Sequence, residues 1–327
     1  MNNETVSIEN MREGNEFIGF YALKRCDLRE YDGGFRLDIE LSDRTGSIAG
    51  VIWDNAPELK EQLDKGDVVK AMGRVGSYRD KPQARIDKIR RAETGEYKTD
   101  AFLPSTPKDI DTLKARVAEL VESITDPHLS ELSRHVFHDE KIMTEYAKSP
   151  GGMQWHHPYI GGLLEHSVGV AGICDYMAEQ HPELNRDLLL VAALLHDIGK
   201  IREYTASTVI DFSDEGRLVG HIVMGERFVR TMCDRIDGFP PTLRMLLSHL
   251  MLAHQGHREF SSPVEPMIPE GFVLYYADEM DSKLNAIGRI VERTKDENKS
   301  WSEYVRTIGR YIFAEDYYGG DGSNMDG

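Results

Sequence analysis

The chain has 327 residues and a formal net charge of −17, with 40% hydrophobic and 29% charged residues. That length suits two domains and suffices for a sizeable core. The three cysteines (Cys26, Cys174, Cys233), odd in number and widely spaced, exclude a disulfide framework and a Cys-based zinc pattern, and fit a reducing compartment. No charged-then-apolar leader opens the chain, and no apolar run approaches the roughly 20 residues that span a bilayer. A soluble, cytoplasmic protein with no membrane partner is the expectation. The acidity argues at first sight against nucleic acid, whose phosphates seek Lys and Arg. Yet Met1–Asp100 is close to charge-balanced, and most of the negative charge lies after it.

Residues Glu16 to Ala92 read as β. Phe17–Lys24, Phe35–Leu41 and Ser47–Trp53 are strand candidates, separated by the turn signals Asp32-Gly33-Gly34 and Asp43-Arg44-Thr45-Gly46. A short helix over Ala56–Leu63 follows, then strands over Asp67–Ser77 and Gln83–Ile89. Three strands, a helix and two strands is the order of an OB-fold, a small barrel that often holds single-stranded nucleic acid. Gly73 and Gly76 allow the bend such a barrel needs. Aromatic and basic side chains interleave here (Phe20, Tyr21, Lys24, Tyr31, Phe35, Arg36, Trp53, Arg74, Tyr78, Arg79 and Lys81, then Arg85, Lys88, Arg90 and Arg91), which suits base stacking and phosphate tracking. Alternation assigns Phe17 and Trp53 to the barrel core, while Tyr78 and Arg79 at a hairpin are the better substrate contacts. Rings serving only as core remain the alternative.

Glu93–Lys108, with Pro104 and Pro107, reads as a linker, so the expected division is a barrel over 1–98, a helical domain over 99–314 and a disordered acidic tail over 315–327. Helices are predicted over Asp109–Ile124, Pro127–Phe137 and Asp139–Ala147, before a Gly-rich loop at Pro150–Gly152. Trp301–Phe313 reads as the last helix. The fold class expected is an N-terminal all-β OB-fold barrel followed by an all-α domain.

All twelve histidines fall between His128 and His257. The pair His196-Asp197 closes Leu188–Leu195, a run without a polar side chain that must be buried on all sides if helical. Buried polar groups require partners, and a shared metal ion supplies one. His166 lies on the stripe Leu163, His166, Val170, Ile173, Met177, which faces a core at helical spacing. His221 opens a second stripe, His254 ends the run Thr242–Ala253, and Leu274, Asp278 and Asp281 share one face. Any one of these histidines alone is more often a hydrogen-bonded core residue; the ordered series carries the metal reading. Imidazoles and carboxylates without thiolates suit a borderline or hard divalent ion. His249, five residues before His254, is turned about 140° away on one helix and reads as core. Lys200, a turn beyond the pair, reaches a substrate phosphate or caps a helix end in solvent. His156 and His157, on a loop, touch substrate, supply a proton or orient a ligand. Arg258 is a weaker phosphate candidate.

The segments His156-His157-Pro158-Tyr159-Ile160-Gly161-Gly162-Leu163-Leu164-Glu165-His166, Leu194-Leu195-His196-Asp197-Ile198-Gly199-Lys200-Ile201, Gly220-His221-Ile222, Ser248-His249 through His254-Gln255-Gly256, Ser261-Ser262-Pro263 and Asp278-Glu279-Met280-Asp281-Ser282-Lys283 carry a resemblance. Their order is similar to that of the HD superfamily of metal-dependent phosphohydrolases, and the finer text resembles the YhaM-type 3′-to-5′ exoribonucleases over roughly residues 100–312. The resemblance implies an HD-type helical domain that hydrolyses phosphodiesters of single-stranded RNA, with single-stranded DNA as a second substrate. It also implies one or two divalent ions per chain, with Mn²⁺ expected. His166, His196, Asp197 and Asp278 would hold one ion, and Asp197 would bridge to a second held by His221 and His254. Asp197, His196 and Lys200 would be the catalytic group. One departure is that Gln255 stands where family members commonly carry the second of two adjacent histidines. The readings set beside this one are an HD hydrolase of a nucleotide or cyclic nucleotide with a regulatory barrel, and a non-catalytic single-strand-binding protein. A homo-oligomer is left open.

Overall fold

The computed structural model describes residues 5–79, 81–98 and 101–315. Alternating apolar residues make β1 (Glu16–Tyr31) a strand long enough to serve two neighbours. Its first half pairs with β4 (Val68–Tyr78) and its second half with β2 (Gly34–Asp43), and the register shifts between Leu23 and Arg25 where it turns the corner. β3 (Gly46–Ile52) pairs antiparallel with β2 and parallel with β5 (Lys81–Arg91), which closes a five-stranded barrel in the order β1-β2-β3-β5-β4. Helix α1 (Ala56–Gln62) sits between β3 and β4 and contributes Ala56 to a core of Tyr21, Leu23, Leu37, Ile39, Leu41 and Val69. The expected OB order is therefore realised.

Of the two glycines expected to bend the sheet, only Gly73 is required. The β4–β5 register slips there, and a Cβ would overlap the carbonyl oxygen of Arg85, whereas Gly76 has room for a side chain. Phe17 is core as expected, but Trp53 is not. It lies just past the end of β3, 42% exposed, edge-on to Tyr31 at 5.2 Å and under the Arg36 guanidinium at 5.6 Å.

Helices α2 (Ile110–Glu122), α3 (Pro127–Phe137) and α4 (Glu140–Lys148) each start behind an aspartate, Asp109, Asp126 or Asp139, whose carboxylate accepts first-turn N–H groups. They pack around α5 (Gly162–Gln180) and α6 (Arg186–Leu195), whose residues from Leu188 on are all buried. Then come α7 (Lys200–Glu203), β6 (Tyr204–Ala206), β7 (Ile210–Phe212), α8 (Asp214–Val219), α9 (His221–Cys233), α10 (Pro241–Ala253) and the 28-residue α11 (Pro269–Asp296). The β6–β7 hairpin interrupts the domain expected to be all helical. It leans on the barrel, with Thr208 Oγ1 donating to Gly66 O at 2.6 Å and Lys65 paired with Asp211 at 2.5 Å.

Trp301–Phe313 is not the expected helix. Trp301 bridges to Phe313 and Val305 to Arg310 across a turn with Gly309 at φ 67°, so its aromatic and β-branched residues pair across rather than along the chain. The acidic tail beyond Glu315 lies outside the described residues. Among the described residues no helix is long and apolar enough to cross a membrane.

The described residues of the connection 93–108 pack against both halves. Arg44 N–H donates to Ala101 O on the barrel side, and on the other Thr106 N–H donates to Ile160 O and Ile160 N–H to Pro104 O. Phe102 is buried with Ala22 and Val68 of the barrel and Val209 of the β6–β7 turn.

Candidate metal centre

Burial of α6 delivers His196 and Asp197 to the interior, 0% and 2% exposed. Four more elements converge on them: α5 brings His166, α9 begins with His221, α10 ends just before His254, and α11 presents Asp278. The donors fall into two sets. His166 Nε2 lies 3.2 Å from both His196 Nε2 and Asp278 Oδ1. Asp197 Oδ2 is 3.3 Å from His196 Nε2 and 3.5 Å from His166 Nε2. The other oxygen, Oδ1, faces His221 Nε2 at 3.4 Å and His254 Nε2 at 3.7 Å. One carboxylate stands between two imidazole pairs. His166, His196 and Asp278 form one group able to hold a metal ion, and Asp197, His221 and His254 another.

Each imidazole is fixed through its Nδ1. His166 is held by Asp281 Oδ2 at 2.7 Å, His196 by Ala193 O at 2.8 Å, His221 by Glu203 Oε1 at 2.9 Å and His254 by Met251 O at 2.8 Å. Oxygen partners at Nδ1 leave Nε2 as the metal-facing atom, the usual arrangement of a metal-bound histidine. His254 supplies the sharpest test of fit. Burial, reinforced by His196, pushes its pKa down to about 4, and its buried Nε2 has no hydrogen-bond partner among the described residues. A neutral imidazole whose inward lone pair is orphaned is suited to ligate an ion. The donor set therefore fits a divalent metal.

Two of these supporting carboxylates escape the sequence. Asp281 was visible on the face of Asp278, three residues on, but nothing in the pattern marks it as the partner of both His166 and His157. Glu203 carries no signal at all, because it reaches His221 only through the single turn of α7 and the fold-back of α8.

Of the other sequence candidates, Lys200, His156 and His157 adjoin the donor sets, and the two histidines form further groups able to hold an ion, His156 with His166 and Asp197 and His157 with His166 and Asp281. Lys200 is neither solvated nor free to meet a phosphate: buried, its Nζ donates to Asp197 Oδ2 at 2.6 Å, to Gly151 O at 2.5 Å and to His156 Nε2 at 3.3 Å. His156, its pKa driven well down by burial and then by Lys200, is an acceptor here and not a proton source. His157 is buried with both ring nitrogens engaged, by Tyr159 Oη and by Asp281 Oδ2, each at 2.9 Å, so it orients Asp281. His249 accepts from Met267 N–H at 3.0 Å, away from the cluster. Arg258 lies on an exposed turn after His257. Tyr78, 56% exposed, stands at the barrel hairpin with the Arg79 guanidinium 5.3 Å over its ring.

Residues 163–283 match the HD domain family, and residues 25–92 match an OB-fold nucleic acid binding domain. Barrel and metal-binding helices thus define a protein that joins an OB-fold to an HD domain. The chain is 30% identical over 260 residues to the 3′-5′ exoribonuclease YhaM of Geobacillus sp. (strain WCH70), covering 79% of each chain. It is 29% identical over 288 residues to the same protein of Bacillus licheniformis, covering 87% of this chain and 91% of that one. The chain belongs to this YhaM family. The second OB-fold domain of replication protein A from Methanococcus maripaludis aligns at 18% identity and a TM-score of 0.24, covering 29% of this chain and 100% of that domain.

The charge on His166 has a measurable consequence. Burial disfavours it, but Asp278 and Asp281 outweigh burial and hold its pKa up to about 9. In the metal-free protein this group stabilises the fold below its unfolded value near 6.5, and that contribution is lost as pH rises through about 9. Metal loading at neutral pH must displace this proton. Titration of the metal-free protein in weak buffer is expected to release a proton with the first ion, and the apparent affinity is expected to rise with pH up to about 9. A pH-independent affinity would contradict this.

Proposed function

We propose that the protein is a metal-dependent 3′-to-5′ exoribonuclease acting on single-stranded RNA, with single-stranded DNA as a second substrate. The observation that carries this reading is Asp197, whose two oxygens face two separate imidazole pairs at 3.3–3.7 Å. A divalent ion held there, Mn²⁺ in our reading, would supply water of lowered pKa and charge to offset that on the leaving oxygen. His166, His196, Asp197 and Asp278 would hold one ion, and Asp197, His221 and His254 a second. The chain's own contribution is orientation. Asp281 and Glu203 fix two of the imidazoles, while Lys200 holds Asp197 and the Gly151 loop in place. On the barrel, Tyr31, Phe35 and Trp53 are exposed beside Arg36, and Tyr78 beside Arg79, which suits stacked bases and their phosphates. We divide the chain near Lys98 into these two functional parts, and three buried free cysteines fit a cytoplasmic location.

End-labelled RNA tests the reading. With Mn²⁺, a 3′-labelled strand should release labelled mononucleotide at once, and a 5′-labelled strand should shorten stepwise. Internal cuts, or shortening from the 5′ end, would overturn it.

Gln255 gives a sharper expectation. Its amide Nε2 lies 3.4 Å from His221 Nε2, so an amide stands at the second donor set where the resemblance implies a further imidazole. Amide oxygen binds borderline metals less tightly than imidazole does. Calorimetric Mn²⁺ titration should therefore show one tight and one weak site, with Gln255→His moving the weak site to about tenfold lower concentration. Two equally tight sites in the native protein, or no shift in Gln255→His, would contradict this assignment.

A further inference from the structure

A cavity of about 830 Å³ lies between the barrel and the helical domain. Lys24 and Arg44 line its barrel side together with the carboxylates Asp27, Glu40, Asp43 and Asp64, and Gln154, Pro158 and Arg289 line its helical side. The loop that carries Gln154 and Pro158 also carries, between them, the two histidines that touch the metal cluster through Lys200 and Asp281. The cavity and the metal centre are thus two sides of one loop.

Helix α11 connects the same two places. Asp278, Asp281, Asn285 and Arg289 follow one another at steps of three and four, so they share a helix face. Asp278 and Asp281 meet His166, Asn285 Oδ1 accepts the His157 N–H at 2.8 Å, and Arg289 donates to the carbonyls of Gln154 and Trp155 at 3.3 and 3.1 Å. At about 1.5 Å per residue, Arg289 stands about 16 Å along the helix from Asp278. That is the length of about four or five stacked nucleotides.

Charge marks the ligand. Lys24 is answered by Glu40 at 3.3 Å. Arg44 has no ion-pair partner among the described residues, and Arg289 bonds only to carbonyl oxygens there. In a chain of net charge −17, two guanidiniums left unneutralised, one on each side of a single cavity, match a polyanion threading between them.

We propose that this interdomain cavity is the passage by which the 3′ end of a single strand reaches the metal centre, with Arg44 and Arg289 each taking a backbone phosphate. The proposal rests on the exoribonuclease reading. Arg289 holds the loop as well as the strand, whereas Arg44 is exposed and touches only the strand.

The test compares the full-length protein with Arg44→Ala, Arg44→Lys and the double variant Arg44→Ala/Arg289→Ala, on single-stranded RNA and on bis(p-nitrophenyl) phosphate. Circular dichroism confirms folding of each. The double variant should lower the ratio of kcat/KM on RNA to that on the small diester at least tenfold, mainly through KM. Its slope of log affinity against log salt should flatten by about 1.4, roughly 0.7 for each phosphate of a single strand that is no longer neutralised. Arg44→Ala should flatten it by about half as much, and Arg44→Lys should restore the native slope. If the native protein degrades RNA but the variants keep its KM and salt slope, the passage is wrong and the exoribonuclease reading stands. If the native protein cleaves only the small diester, that reading falls and the passage falls with it.

Discussion

Asp197→Ala is expected to lower RNA hydrolysis by at least about a thousandfold, equivalent to about 4 kcal/mol of transition-state stabilisation. Both oxygens of this carboxylate are committed, one to each donor set, so a single substitution removes a ligand from both. Burial opposes its charge, but Lys200 and then His196 hold the carboxyl well below the usual carboxylate range. Removing it also leaves the buried Lys200 ammonium without its anion, and breaking such a pair costs about 3–5 kcal/mol. Asp197→Asn keeps the shape and separates the two effects. It should be less damaging to the melting temperature than alanine, and equally inactive. Near-native hydrolysis by a folded Asp197→Ala protein in Mn²⁺ would remove the metal centre from the mechanism.

Gly199→Ala should be among the most damaging single methyl additions at the described glycines. Gly199 has ordinary helical backbone angles, φ −61° and ψ −22°, so conformational freedom is not the reason for it. The reason is space: a Cβ would overlap the carbonyl oxygen of His221, and both are backbone-bound with nowhere to swing. The start of α9 must move away, and His221 Nε2 moves with it from Asp197. We expect a loss of about 3 kcal/mol, as for other overpacked sites, and a melting temperature lower by roughly 5 °C. Metal binding at the set of His221 and His254 should weaken far more than at the set of His166 and His196. Equal weakening of both, or no change, would show that the contact does not position His221.

The legible parts of this protein are those where side-chain period and chemistry agree. The six candidate ligands are legible because each stands at the inward face or end of an apolar helical run. The barrel order followed from alternation and turn residues. Misreadings came where one rule was applied past the end of its element. Trp53 continued the alternation of β3, but the strand stops at Ile52 and the ring turns out to meet Tyr31. The apolar spacing of Trp301–Phe313 fits a helix on paper, yet positive φ at Gly309 folds it back on itself. Lys200 reads as a solvated cap or a phosphate contact because its burial depends on the Gly151 loop, 49 residues earlier in the chain, returning to cover it. Glu203 was invisible for the same reason. Partners supplied by tertiary return leave no local mark.

The connection between the two halves is a seam and not a tether. Its residues bond to the barrel at Ala101 and to the helical domain at Pro104 and Thr106, and Phe102 fills a small apolar pocket built from both. The halves are therefore not interchangeable parts. Grafting a different single-strand module onto the HD domain would strip the cover from Phe102 and Val209 and leave Asp211 without Lys65. Any substitute would have to reproduce that face before its own binding surface could be of use. Shortening or lengthening the connection would disturb a packed surface, where a flexible linker would have absorbed the change.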